Sequence, residues 1–192
     1  MGIPGRRTKF AFVSITAIIC AACQSATFSS LDCRFHPVQL PEDELSNCAF
    51  VNENGAIVLR PATVSEIRRR NRDPIALWID SKLYYVNSRG RIAPVLPFDN
   101  GADYFVEDLA RSPHNGKIGF IDSELFERIP PTWDFAFPFS KGVALVCQGC
   151  RPHSVGDHTE MRGGKWGYIN REGIEVVPVR FDKPNLPGPP QQ

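Results

Sequence analysis

The residues best suited to chemistry lie in one short segment towards the C-terminus. Cys147, Cys150, His153 and His158 have the spacing C-x2-C-x2-H-x4-H, which supplies the nitrogen and sulfur ligands that bind tetrahedral zinc. The C-x-x-C pair alone is also the spacing of redox-active dithiols, whose reactive thiolate is normally stabilised at a helix N-terminus. A proline and a glycine follow the pair without helical periodicity, so a redox dithiol would lack that support.

A structural disulfide is the interpretation that we favour for Cys147 and Cys150. The four residues fall within twelve positions, and no intervening element would hold them apart around a metal. Thiols in an oxidising compartment also tend to pair before they meet a metal ion. We therefore predict a disulfide that stiffens a long hairpin loop, and no cofactor. A periplasmic metal-binding or redox protein that uses this segment is the alternative function.

The N-terminal sequence indicates export from the cytoplasm. Arg6, Arg7 and Lys9 precede an apolar run over residues 10–22, which only one serine and one threonine interrupt. This run is shorter than the roughly 20 apolar residues that a spanning helix needs, and it is typical of a signal peptide. We therefore predict that residues 1–22 are a signal peptide.

A cysteine follows the predicted signal peptide directly. The segment Cys20-Ala21-Ala22-Cys23 resembles a bacterial lipobox, although Cys20 stands where that pattern has Leu. The resemblance implies lipidation of Cys23, and ordinary cleavage nearby is the alternative. The expected location is the periplasm of a bacterium, or its membrane through a lipid anchor at Cys23.

The remaining cysteines are even in number. Four of them, at positions 33, 48, 147 and 150, allow three different pairings in an oxidising compartment. We favour Cys33–Cys48 and Cys147–Cys150, because the members of each pair are close in sequence.

The densest positive cluster is Arg68, Arg69, Arg70 and Arg72. It could contact an anionic envelope polymer or lipid headgroups, or it could be a solvated helix face that nearby acidic residues neutralise. The formal net charge of the whole chain is only +1, so no global electrostatic argument favours nucleic acid. The sequence has no G-x-S-x-G, Walker or H-E-x-x-H motif, and we predict no catalytic residues and no enzyme.

An internal repeat is the strongest organisational signal. Four short segments share one pattern of an aromatic residue, a β-branched residue and then Asn or Asp, with the aromatic at positions 50, 85, 120 and 168. Glycine follows the asparagine by three residues in three of the copies, which is typical of a hairpin turn. The third copy has Glu124-Leu125-Phe126 instead, which predicts a differently built turn.

Three further expectations follow from the repeat. The recurring aromatics, with Trp133 and Trp166, are expected to be core anchors that stack between copies. The turn residues Asn52, Asn87, Asp122 and Asn170 are expected to bond the local backbone rather than a metal. The segment Thr63-Val64-Ser65-Glu66 matches a capping box, which predicts a helix over 64–71 that covers the open end of the array.

The best-formed copies resemble the WG repeat. The segment from Gly164 through Lys165-Trp166-Gly167-Tyr168 to Phe181-Asp182 carries this likeness, and residues 116–122 and 138–144 are similar. The resemblance implies a bacterial β-repeat array, commonly of envelope or secreted proteins, that serves interaction rather than catalysis. It implies no catalytic residues.

The predicted fold is an all-β, solenoid-like array of antiparallel hairpins with a short capping helix. The predicted function is a non-enzymatic cell-envelope module that contacts an unknown protein or glycan. The predicted organisation is a signal peptide (1–22), an N-terminal segment (23–44), a degenerate first repeat with the helix (45–80), a WG-like repeat (81–115), a WG-like repeat with the cysteine insertion (116–163), a WG repeat (164–182) and a disordered tail (183–192).

Overall fold

The structure is a computed structural model that describes residues 29–36 and 43–189. The predicted signal peptide and Cys23 lie outside the described residues. Within the described part, no helix is both long enough and apolar enough to cross a membrane.

Antiparallel strands dominate the fold, which confirms the predicted all-β class. Each strand pairing in the described residues is antiparallel, and a single α-helix and a 3-10 turn at Lys183–Asn185 accompany the strands there. The elements are β1 (Ser30–Phe35), β2 (Glu44–Val51), β3 (Ile57–Leu59), α1 (Pro61–Arg70), β4 (Ile75–Ile79), β5 (Lys82–Val86), β6 (Ile92–Pro94), β7 (Pro97–Phe98), β8 (Gly101–Ala102), β9 (Leu109–His114), β10 (Lys117–Asp122), β11 (Glu127–Trp133), β12 (Phe135–Ala136), β13 (Val143–Val155), β14 (His158–Asn170) and β15 (Glu175–Phe181).

The repeating unit is a three-stranded meander. Copy 1 is β1–β3, copy 2 is β4–β6, copy 3 is β9–β11 and copy 4 is β13–β15, and the repeated aromatic lies on the middle strand of each. Two-residue turns join the first two strands of copies 2 and 3, with positive φ at Asp80 and Ser81 and at Asn115 and Gly116. Such turns match the twist of a hairpin.

The turn after the middle strand is the same in all four copies. In copies 1, 2 and 4 a glycine has φ between 77° and 80° and donates its N–H to the carbonyl of the Asn three residues earlier. In copy 3 Leu125 takes this place, with φ 64° and an N–H bond of 2.9 Å to the Asp122 carbonyl. The prediction of a different turn in copy 3 is therefore wrong, because buried Leu125 packs beside Ala93 and Ile121 while it holds the glycine conformation.

The side chain of each turn residue bonds the backbone of its own turn, as predicted. The Asn87 Oδ1 accepts the N–H groups of Arg89 and Arg91 at 3.1 and 3.0 Å. The Asp122 Oδ1 accepts the N–H of Phe126 at 2.9 Å. Equivalent bonds at Asn52 and Asn170 have lengths between 2.8 and 3.2 Å.

Copies 1 and 2 share one curled sheet. Its strand order is β3-β2-β1-β4-β5-β6, and β3 and β6 at its two edges are in contact, so the sheet is a nearly closed barrel. Helix α1 joins the end of β3 to the start of β4. Its buried Ile67 and half-buried Val64 pack into the barrel core with Phe35 and Leu77.

Helix α1 begins earlier than the capping box predicts. Pro61 is its first residue, where a fixed φ favours a helix start, and among the described residues no side chain caps its N-terminus. Thr63 lies inside the helix, and its hydroxyl donates to the Cys48 carbonyl at 2.7 Å. The capping-box prediction is wrong, because this hydroxyl ties the helix to β2 instead.

Copies 3 and 4 stack face to face. Ile118, Phe120 and Ile129 of copy 3 form one cluster with the smaller Ala144 and Val146 of copy 4. Phe120 and Trp166 are fully buried and Trp133 is buried, which confirms these three as core anchors. The equivalent Phe50, Tyr85 and Tyr168 are only half-buried, so the anchor role is not uniform along the array.

The glycine of each WG motif lies where two backbones meet. Gly119 and Gly167 stand at register shifts between the middle strand and the third strand. A Cβ at Gly167 would lie 2.4 Å from the Val177 carbonyl oxygen, and one at Gly119 would lie 2.4 Å from that of Ile129. The motif therefore needs glycine because any side chain would separate these strands.

Candidate functional site

The segment with the predicted metal and redox residues is a regular β-hairpin rather than a loop. Strands β13 and β14 stay paired to their tip, where Val155 lies opposite His158. The predicted loop is therefore wrong, because the extra residues of copy 4 lengthen two strands. Cys147 and Cys150 form a disulfide with a Cα–Cα distance of 6.1 Å.

The four residues considered as alternative zinc ligands do not converge. His153 and His158 are exposed on the hairpin, whereas Cys147 and Cys150 are buried at its base. In the described residues no group of three or more His, Cys, Asp or Glu side chains could hold a metal ion. The two thiols are joined to each other instead.

The base of this hairpin is packed by the chain that follows it. Trp166 is fully buried against the disulfide, and its indole Nε1 donates to the Gly163 carbonyl at 2.9 Å. Leu186 packs against the same cluster, and the Lys183 Nζ lies 4.6 Å from the Trp166 ring centroid. The first part of the predicted disordered tail is thus ordered in the structure, because Leu186 covers an apolar ring.

The second disulfide joins neighbouring strands of the barrel. Cys33 and Cys48 have a Cα–Cα distance of 5.8 Å, and both are buried in the core of copies 1 and 2. Both cysteine pairs are therefore the ones that the sequence favours.

The arginine cluster is largely engaged within the protein. The Arg68 Nε donates to the Ser88 carbonyl at 2.8 Å, and Arg69 forms an ion pair with Glu66. Arg70 bonds Glu66 at 2.9 Å and Asp43 at 2.6 Å. Burial tends to raise the pKa of Glu66, but its bonds to the two arginines outweigh this and lower the pKa. These contacts hold α1 in place, and the structure puts Arg72 on the surface.

A groove lies at the mouth of the barrel formed by copies 1 and 2. It has a volume of about 880 Å3 and lies beside the β2–β3 and β4–β5 turns. Because α1 links the opposite ends of β3 and β4, the helix and the groove lie at opposite ends of the barrel. The floor of the groove is apolar and includes Leu31, Val51, Ile57, Ile92 and Val95.

Aromatic and charged side chains border this groove. Trp78 and Tyr84 are half-buried in its wall, and the exposed Asp80 and Lys82 lie at its rim. Burial, with a smaller effect from the Asp80 carboxylate, raises the pKa of Tyr84, so its hydroxyl stays a neutral hydrogen-bond donor. His114 and Asn115 of the β9–β10 turn complete the rim. This arrangement can bind an apolar group and orient it by polar contacts.

No residue of the groove was predicted as a site from the sequence. The groove exists because β3 and β6 approach each other, and these strands are about 35 residues apart without a motif that marks the contact. The one available signal was Trp78, an aromatic residue outside the repeated pattern.

The fold and its repeated turns define an antiparallel β-repeat module. The model of the WG containing repeat matches residues 118–149 and 166–183, which lie in copies 3 and 4. The chain therefore contains WG repeats, as the sequence resemblance predicted. These are the two copies with the buried glycine at the register shift. No curated protein and no solved structure matches the chain.

Proposed function

We propose that this chain is a non-enzymatic interaction module of the bacterial cell envelope, which binds a segment of a partner protein at the mouth of the barrel. The observation that carries the proposal is the groove of about 880 Å3 with an apolar floor and a polar rim. Ligand sites commonly lie in the mouths of β-barrels and combine apolar walls with a few polar groups.

The lining favours a polypeptide over a glycan as the ligand of this groove. Its floor is mainly aliphatic, through side chains such as Ile57 and Ile92, and such a surface suits an apolar side chain better than hydroxyl groups. Asp80 and Lys82 offer charges of both signs at the rim, which can pair with side chains beside the anchor. The Cys33–Cys48 disulfide in the barrel core and a helix at the far end keep the mouth in shape.

Blocking the mouth tests the proposal. Ala56 is exposed at the groove, so Ala56→Trp fills the opening without a change in the core. Ala62 is exposed on α1 at the other end of the barrel, and Ala62→Trp is the matched control. Tagged chains are cross-linked in intact cells and purified. We expect partner proteins to be captured by wild type and the Ala62 variant but lost with the Ala56 variant; equal capture by all three chains refutes the proposal.

Export is the second part of the proposal. The predicted signal peptide and two cysteine pairs support an oxidising location. Fractionation of cells that express wild type or Cys23→Ser tests the lipid anchor. We expect wild type in the membrane fraction and a shift of the variant away from it; wild type in the cytosol contradicts export.

A further inference from the structure

We propose that the β7–β8 hairpin and the residues after it form a separate binding site for a neutral carbohydrate chain. The hairpin exposes the Phe98 ring, at 44% of its full accessibility, and the segment after it exposes the Tyr104 ring, at 61%. Their ring centroids are 5.9 Å apart and the rings meet edge to face at 76°. Contiguous exposed apolar surface with a polar rim is typical of interaction sites and ligand-binding grooves.

A second, smaller groove lies beside this pair, lined by the Tyr104 ring and by polar side chains, while Phe98 packs against the Tyr104 ring. Its volume is about 410 Å3, and His36, Asp99, Asn100 and Tyr104 line it. These groups supply an imidazole, a carboxylate, an amide and a phenol, which together can donate and accept hydrogen bonds. In the described residues, this groove and the barrel mouth have no lining residue in common.

The base under the rings is rigid. Asp103, which directly precedes Tyr104, is 1% exposed, and its carboxylate accepts bonds of 2.9 and 2.6 Å from the Arg111 guanidinium. The Tyr85 hydroxyl donates to the Asp103 carbonyl at 2.9 Å. Burial raises the pKa of Tyr85 to about 12, so this donor stays protonated at physiological pH. The Arg111 guanidinium also lies 5.6 Å from the Phe98 ring centroid, which ties that ring to the same base.

A close contact brings the imidazole to the hairpin. A Cβ at Gly101 would lie 3.0 Å from the His36 Nε2, so glycine at this position lets the ring lie against the backbone. His36 is itself held by its backbone N–H, which donates to the Ala76 carbonyl at 3.0 Å. The imidazole is therefore placed beside the hairpin backbone before a ligand arrives, which lowers the entropy cost of binding.

The chemistry of the groove selects a neutral sugar. The C–H face of a pyranose ring packs on an aromatic ring, and its hydroxyl groups bond to carboxylate, amide and imidazole groups. Asp99 opposes an anionic ligand, because among the described residues that line the groove it is the acidic one and none is Lys or Arg. A purely apolar segment would leave the polar groups without partners. An aromatic pair with mixed donors and acceptors therefore fits a polysaccharide chain best.

The test titrates cellohexaose, chitohexaose and maltohexaose into the intact protein by calorimetry. We expect wild type to bind at least one of them, and Tyr104→Ala and Phe98→Ala to weaken that binding about tenfold. Tyr104→Phe keeps the ring and should retain most of the affinity. Phe126→Ala is the matched control, because Phe126 is also 44% exposed but lies in copy 3.

Several results separate this site from the barrel mouth. Ala56→Trp should bind the oligosaccharide as wild type does, whatever its effect on the partner protein. Thermal melting confirms that each variant folds, which is expected because both rings are exposed. The proposal is overturned if wild type binds none of the three sugars. It is also overturned if the Tyr104→Ala and Phe98→Ala variants bind like wild type, or if Phe126→Ala weakens binding equally.

Discussion

The substitution Gly167→Ala tests the physical role of the WG motif. The added Cβ would lie 2.4 Å from the Val177 carbonyl oxygen and 2.8 Å from the Pro178 carbonyl carbon and oxygen. Ordinary contacts of this kind begin near 3.4 Å, so β15 would have to move by about 1 Å away from β14. Backbone atoms cannot move away by a rotamer change as a flexible side chain can. The backbone hydrogen bonds between β14 and β15 would therefore weaken.

The expected cost follows from this displacement. Overpacking of a rigid site costs about 1–3 kcal/mol, and we expect the upper end here because the clash is with backbone. For a chain of this length that is a decrease in Tm of roughly 6–12 °C. Thermal unfolding followed by circular dichroism measures it, with Gly188→Ala as the control, because nothing lies within 4 Å of a Cβ at that position. A Gly167→Ala protein as stable as the control would refute this explanation of the motif.

Three further changes test other parts of the structure. Leu125→Gly should lower the free energy of unfolding, measured with denaturant, by about 2 kcal/mol. The gain from relieving the positive φ (about 1 kcal/mol) is smaller than the loss from removing a buried side chain (about 3 kcal/mol). A variant more stable than wild type contradicts this. Bonds from Lys117 and the Gly149 N–H hold the pKa of Asp134 below its usual value, so its contribution is present above about pH 4 and is lost as the pH falls through the folded-state pKa. The Tm difference between wild type and Asp134→Asn should therefore shrink on acidification. A Tm difference that does not change with pH would contradict a stabilising ion pair between Lys117 and Asp134. Replacing Cys33 and Cys48 by Ser should lower the free energy of unfolding by about 3 kcal/mol, and replacing Cys147 and Cys150 should lower it by about half as much. The reason is that the two cysteines are 15 residues apart in the first pair and 3 in the second, so the first disulfide closes a longer loop in the unfolded chain. The reverse order in unfolding experiments would be inconsistent with a loop-entropy effect.

The sequence carries enough information for the repeat and its turns. Turn chemistry is local, so the Asn and Gly positions of three copies identify their hairpins without any knowledge of the tertiary fold. The same local rule failed at Leu125, where burial against copy 2 outweighs the strain of a left-handed conformation. It also failed at Thr63, whose hydroxyl donates to the Cys48 carbonyl on β2 and does not cap the N-terminus of its own helix.

Features that depend on distant strands could not be predicted. The spacing of copy 4 indicates an insertion but not that the insertion continues two strands as a paired hairpin. The barrel mouth arises from the curl of the sheet, which brings β3 and β6 into contact. A single sequence has no local pattern that records such contacts, because they join residues far apart in the chain.

Site-specific photo-cross-linking most directly tests whether the barrel mouth is the binding site. A photoreactive phenylalanine derivative replaces Lys82, which is exposed at the groove, or Ala62, which is exposed on α1 at the opposite end. After irradiation of intact cells, we expect a discrete cross-linked protein from position 82 and none from position 62. The same cross-linked species from both positions, or from position 62 alone, would contradict it.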